Sequence, residues 1–359
     1  SWTTSTTYDA LGRVVTQTTP DGSVTKPYYN DGGLLERVDV DIRGAGVDTP
    51  FVRELDYNAR AQRTTIAYAA DSAGTAAAFE TTYTYDPQTY RLTRLKTTRA
   101  TDGEALQDWS DIYDAMGNIV EIADSAQDTL YFNNTVVTPR ARYAYDAMYR
   151  LVSAEGRQHA THTRPSATGG LEDLANMGTI PDSNVLSTYV QAYTYDEVGN
   201  ILEMAHSDGV EGATGVVQWR RTYAYDLDSN RLLSTSLPGE TSAPYGETYS
   251  HNARGAMTSM PHLHGLTRNW RDQLRQVDLN LGGDDAVYHY DSGGQRVRKV
   301  VRLGANTEER LYLGGWELYR KTVGAATSPD VERETLHVMD GEHRVALVET
   351  LTRDGGVDL

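Results

Sequence analysis

The sequence predicts an all-β protein assembled from stacked β-hairpins. Three observations carry that prediction. A Tyr-Asp-x-x-Gly pattern returns along the chain, strand-forming residues alternate around each copy, and helical periodicity is almost absent. The clearest copy is YTYDEVGNIL, Tyr193 to Leu202. Tyr193 and Tyr195 are two apart and share one face of a strand. Asp196 opens a turn, its carboxylate able to accept backbone N–H groups a few residues on. Gly199 takes the positive φ that closes the turn, and Ile201 and Leu202 begin the return strand. The stretch therefore reads as one hairpin.

The chain opens with Tyr8-Asp9 leading to Gly12, and the first 36 residues read as two hairpin units with a turn at Pro20-Asp21-Gly22. Tyr29-Asn30 with Gly33-Leu34 is a degenerate copy. Residues 37–63 continue as strands around Gly44-Ala45-Gly46. The stretch 67–78 is rich in small residues and reads as a loop or one helical turn. Tyr85-Asp86 and Tyr225-Asp226 each carry one extra residue before Arg91-Leu92 and Arg231-Leu232, which predicts a bulged turn. Tyr113-Asp114 leads to Gly117-Asn118-Ile119. Tyr145-Asp146 has Tyr149 in the glycine place.

Residues 156–187 break the alternation and read as an irregular insertion, with LEDLANM at Leu171 to Met177 as a short helix. Regular units resume at Tyr193, Tyr223 and Tyr249, and His251-Asn252 with Gly255 is the weakest copy. Tyr290-Asp291 leads to Gly294. Two strands about Gly314-Gly315 and a last pair about Asp340-Gly341 complete the chain. The repeat spacing, roughly 20 to 30 residues, is the range in which self-similarity signals stacked supersecondary units. One continuous repeat segment over 1–359 follows, with no domain boundary.

Composition agrees with an extended sheet. Hydrophobic residues make up 39%, low for a compact globule of 359 residues, and 24 Tyr stand against 3 Phe. Tyrosine suits a wall apolar at the ring and wet at the hydroxyl. With 33 basic and 50 acidic residues the net charge is −17, which argues against a nucleic-acid partner, since phosphate binding needs dense positive charge. The acidity serves solubility, or retention of a basic polypeptide. No cysteine is present, so disulfides play no part, and no apolar run reaches the ~18 residues of a membrane span. The chain starts and stops inside the pattern, which reads as a fragment of a longer protein.

The repeated Asp residues share one turn context, whereas acid–base catalysis needs carboxylates in different environments. His262 and His264 share a strand face but lack further ligands nearby, and His337 and His343 lack the spacing of a zinc protease. There is no Gly-x-Ser-x-Gly elbow and no phosphate-binding glycine loop. No catalytic residue, cofactor or metal is assigned.

Tyr-Asp-x-x-Gly-Asn/Arg-Ile/Leu resembles the signature of the YD-repeat (Rhs) family. YDPQTYRLTRL at Tyr85 to Leu95, MPHL at Met260 to Leu263, WRDQLRQVDL at Trp270 to Leu279 and RETLHVMDGEHRVALVET at Arg333 to Thr350 are similar to the YD-repeat portion of insecticidal Tc-toxin C-type components. That resemblance implies a β-sheet spiral forming part of a hollow shell around a toxic C-terminal cargo. It also implies a B-type shell component and a pore-forming A-type component as partners, in a secreted or cell-surface-associated bacterial complex. The family's self-cleavage site would lie beyond Leu359. Two other classes remain open. An adhesion or carbohydrate-binding module would use an aromatic groove, with Trp219, Trp270 and Trp316 as candidates. An enzyme would need a cleft where Tyr, His and Arg converge, with His159 and His162 the first place to look.

Overall fold

A computed structural model describes residues 2–69, 77–132, 134–160, 182, 184–210, 213–237, 239–280, 282–341 and 343–359. These residues are almost entirely strand and tight turn; one 3-10 turn, Ile42–Gly44, interrupts them. Strand pairing is antiparallel and mostly between sequence neighbours, the arrangement short hairpin turns permit; Ile119–Asp124 instead pairs with Arg140–Tyr145, and the intervening Leu130–Phe132 and Thr135–Val137 pair with each other. The chain gathers into two compact units where the sequence predicts one segment. The first is Ser1–Tyr83, Thr97–Ala105 and Leu263–Leu359, and the second is Thr84–Lys96 and Leu106–His262.

In the first unit, Ser5–Tyr8, Val14–Thr18, Val24–Tyr29, Leu35–Asp41, Asp48–Tyr57 and Arg63–Ala69 pair in order. A separate nine-stranded sheet runs from Gly265–Arg268 to Val357–Asp358. The core forms where the two meet. Val38, Val40, Val52, Leu55 and Ile66 from the first sheet pack with Leu336 and Val338 from the second. Val38 and Val40 are two apart and share a face, and Val38 pairs with Val52 across the ladder. Each such buried aliphatic side chain contributes about 1.5–3 kcal/mol relative to exposure.

Two ion pairs reinforce this packing. Arg43 bonds Glu334, and Arg63 Nη1 lies 2.7 Å from Asp340 Oδ2. The Asp340 side chain is 1% exposed, and its other oxygen accepts the His343 N–H at 3.1 Å.

In the second unit the ladder runs through Ala105–Tyr113, Ile119–Asp124, Arg140–Tyr145, Leu151–His159, Leu186–Tyr195, Ile201–Val210, Ala213–Tyr225 and Leu232–Thr235. The irregular insertion is shorter than the sequence suggests. Gly156 to His159 continue a strand, with Gly156 opposite Tyr189 and His159 opposite Leu186. Alternation fades there because the Tyr189 ring covers Gly156: a Cβ at that position would sit 2.9 Å from the Tyr189 hydroxyl. Residues 161–181 and 183, with His162 and the expected helix of Leu171 to Met177, lie outside the described residues. In the small-residue stretch, Ala67 to Ala69 and Ala77 to Ala78 are strand residues, and 70–76 lie outside the description.

Candidate functional site in the repeat turns and an adjoining cleft

Each Tyr-Asp repeat turn is built around one carboxylate. Asp9 Oδ1 accepts the N–H groups of Leu11 at 2.8 Å and Arg13 at 2.9 Å, while Oδ2 takes Arg13 Nε at 2.7 Å. Asp146 repeats this with Met148, Arg150 and the Arg150 side chain. In Asp114 and Asp196 the side-chain partner is an asparagine amide instead, Asn118 or Asn200, each at 2.7 Å. Asp226 accepts Asp228 N–H at 2.9 Å, and Asp291 accepts Gln295 N–H at 2.9 Å.

The extra residue after Asp86 and Asp226 lengthens the closure by one: Asp86 N–H reaches Arg91 O, where Asp114 N–H reaches Asn118 O. The closing position needs a left-handed backbone. Gly117 has φ 104° and Gly199 φ 100°, and Tyr149 takes the same region at φ 61°.

These bonds favour ionised carboxylates. Backbone N–H groups hold Asp9, Asp86 and Asp146 below the ordinary carboxylate range, and for Asp114 the Asn118 amide is the largest cause. All these aspartates serve the same local geometry, so they do not divide into an acid and a base.

The tyrosine ahead of each aspartate does something the motif alone does not reveal. Tyr113 donates its hydroxyl to Leu92 O at 2.7 Å, Tyr145 to Ile119 O at 2.8 Å, Tyr195 to Leu151 O at 2.6 Å, and Tyr225 to Ile201 O at 3.0 Å. In the first unit Tyr57 donates to Leu35 O and Tyr290 to Leu274 O. Every acceptor is the first residue of the previous hairpin's return strand. The Ile/Leu position of one repeat is therefore locked by the tyrosine of the next.

The residue just before that Ile/Leu adds a second lock. The guanidinium of Arg150 lies 4.9 Å from the centre of the Tyr195 ring, and its Nη1 donates to Asp196 O at 2.9 Å. Arg91 does the same over Tyr113, and Arg13 lies over Tyr29. Each such stack is worth about 0.5–1 kcal/mol at a partly exposed site.

Two copies escaped the sequence reading. Asn58 Oδ1 accepts Arg60 and Gln62 N–H, with Ala61 at φ 61°. Asn269 accepts Arg271 and Gln273 N–H, with Asp272 at φ 63°. Both lack the aspartate and the glycine, yet an asparagine oxygen accepts the same bonds and tolerates the same turn. The signal that remained was an Asn followed four residues later by Gln, and then Arg or Leu.

The aromatic candidates separate. Trp316 is fully buried, its ring 5.3 Å from that of Trp2, and cannot stack on a sugar. Trp219 stacks on His206 at 5.1 Å, and His206 on Tyr189 at 5.2 Å, forming a closed column. Burial lowers the pKa of His206, which keeps the imidazole neutral within that column. Trp270 is 80% exposed, with the Arg271 guanidinium 4.6 Å from its ring centre. His159 Nε2 lies 2.9 Å from Asp182 O. Among the described residues no group of three His, Asp or Glu side chains is placed to hold a metal.

Tyr, His and Arg do converge elsewhere. A cleft of about 640 Å³ in the first unit is lined by Gln17, Thr25, Tyr29, Glu317, His337 and Arg344 together with apolar side chains. Arg344 Nη1 lies 3.3 Å from His337 Nδ1; arginine only donates, so the imidazole proton sits on Nε2. His337 Nε2 is 3.1 Å from Glu317 Oε1 but outside hydrogen-bonding geometry, and Glu317 is held instead by Arg310 at 2.9 Å.

No protein-family model matches the chain. Among known proteins it is similar to toxin subunit YenC2 of Yersinia entomophaga, at 30% identity over 99% of this chain. Toxin subunit YenC1 of the same organism is 29% identical over 88%. The chain spans about a third of the curated relatives' length, 36% of YenC2 and 31% of YenC1. Among solved structures, the TcdB2-TccC3 crystal structure matches 99% of the chain with a TM-score of 0.76 and 27% identity. The Photorhabdus luminescens Tc holotoxin pore matches 99% with 0.75. The chain covers 16% of each of those matched chains.

Proposed function

Because this chain is a YD-repeat (Rhs) segment of the kind found in Tc-toxin C-type components, we propose that it forms part of the wall of a hollow shell around a cytotoxic polypeptide. The wall is a spiral of stacked hairpins, and its action is confinement. It carries out no reaction of its own. Its partners in this reading are the toxic C-terminal cargo of the parent chain, a B-type shell component and a pore-forming A-type component, within a secreted or cell-surface-associated bacterial toxin complex.

The observation that carries this reading is the end-to-end match to TcdB2-TccC3 at a TM-score of 0.76. The chemistry of the repeats supports it. A wall must extend by adding like units to like units, and the tyrosine and arginine locks described above bond one unit to the unit before or after it. The repeated carboxylates are all consumed by their own turns, which suits a scaffold. The net charge of −17 would also help retain a basic cargo.

The test is a cryo-EM map of the full-length protein with a B-type component. A closed shell with residual density inside supports the reading. An open sheet stack with an empty exterior groove would overturn it in favour of an adhesion or glycan-binding module.

A further inference from the structure

The cleft beside Gly314 and Gly315 is the place where the repeat lock is left open. Tyr29 follows Val14 as Tyr57 follows Leu35, and Arg13 stacks on its ring in the usual way. Yet among the described residues the Tyr29 hydroxyl donates to no carbonyl, and both Tyr29 and Val14 line the cleft. The side chains of Gln17 and Thr25, on the same wall, likewise make no hydrogen bond among the described residues. Three half-buried polar groups thus face one concave space of about 640 Å³, a size within the range of small-molecule sites.

The character of these groups selects the ligand. A carboxamide and two hydroxyls each donate and accept, which is the pattern a sugar hydroxyl presents in return. Glu317 is matched by Arg310, while the exposed Arg344 bonds the His337 imidazole and is the one charged group of the cleft without an ion pair among the described residues, a lone solvated guanidinium that selects weakly beside three neutral polar groups. Pro27, Leu35 and Met339 supply apolar wall against which the C–H face of a pyranose can rest. The two glycines keep the mouth clear: a Cβ at Gly314 would lie 3.6 Å from Gln17 Nε2, and one at Gly315 would lie 3.3 Å from His337 O.

We propose that this cleft binds a neutral polyhydroxylated ligand, a mono- or disaccharide unit, through Gln17, Thr25 and Tyr29. The site stands independently of the wall function, since a closed shell could carry it or lack it.

The experiment is saturation-transfer NMR with titration calorimetry on the full-length protein. The probes are the methyl glycosides of glucose, galactose, mannose and N-acetylglucosamine, together with maltose, cellobiose and methyl glucuronide as the charged control. At least one neutral sugar should saturate with a Kd of about a millimolar or tighter. Tyr29→Phe and Gln17→Ala should each weaken it by about fivefold or more, with the melting temperature unchanged for Tyr29→Phe. Should Gln17→Ala fail to fold, Tyr29→Phe decides alone, because it removes only an unbonded hydroxyl. Saturable binding that Tyr29→Phe leaves intact, a preference for the glucuronide, or no saturable binding by any probe would overturn the proposal.

Discussion

The hydroxyl of Tyr195 donates to the carbonyl of Leu151 across 2.6 Å, joining residues 44 apart in the chain. Leu151 begins the return strand of one hairpin, and Tyr195 ends the outgoing strand of the next. The two strands pair directly, with Ser153 opposite Ala192, and the bond lies beyond that last pair of the ladder, so it ties one hairpin to the next at the turn end.

Replacing Tyr195 with phenylalanine keeps the ring under Arg150 and removes only this bond. The expected loss is about 0.5–1.5 kcal/mol, read as a shift of the denaturation midpoint. Tyr8, 62% exposed and with its hydroxyl unbonded among the described residues, serves as the control, and Tyr8→Phe should change stability by less than about 0.5 kcal/mol.

Gly117 sits at φ 104°, and a Cβ there would approach Arg91 Nη2 to 2.6 Å. Gly117→Ala should therefore cost about 1–2 kcal/mol from backbone strain and displace Arg91 from the Tyr113 ring. The same substitution at Gly12, with open space around its Cβ position, should show the strain alone. Equal losses at the two sites would refute the contribution of the Arg91 stack.

Acid should loosen the repeats together. Asp9, Asp86, Asp114 and Asp146 have folded pKa values below the ordinary 3.8, so their contribution is fully present above pH about 4 and falls away as pH drops through the lowered values. Asp114→Asn keeps an oxygen for the turn but cannot titrate. Its stability should depend less steeply on pH below 4 than that of the parent protein, measured by urea unfolding at several pH values.

Arg63→Ala should be costly because it strands Asp340, whose side chain is 1% exposed. A loss of about 3–5 kcal/mol is expected, and Arg63→Met with Asp340→Leu should recover most of it. Arg99→Ala breaks the exposed pair with Asp102, each side chain at least 39% exposed, and should leave the denaturation midpoint nearly unchanged. Similar losses for the two arginines would show that burial of Asp340 does not set the difference.

Local chemistry was legible throughout. The Asp turn, the positive-φ glycine and the lengthened turns after Asp86 and Asp226 all depend on atoms within five residues of each other. Asn58 and Asn269 were missed for the converse reason: the same bonds survive when both signature residues change. Gly156 misled the reading, since a glycine under a tyrosine ring looks in sequence like a break in the strand.

The sequence by itself therefore determined the hairpin, its turn chemistry and the family to which the repeats belong, because a strand–turn–strand unit is specified by contacts between near neighbours. Only the tertiary structure decided which tyrosine locks which carbonyl, that Arg63 answers Asp340 277 residues away, and that Tyr29, Gln17 and Thr25 face one cleft. Those pairings depend on which strands stack and on what each sheet covers. No periodicity along one chain encodes a distance between two faces.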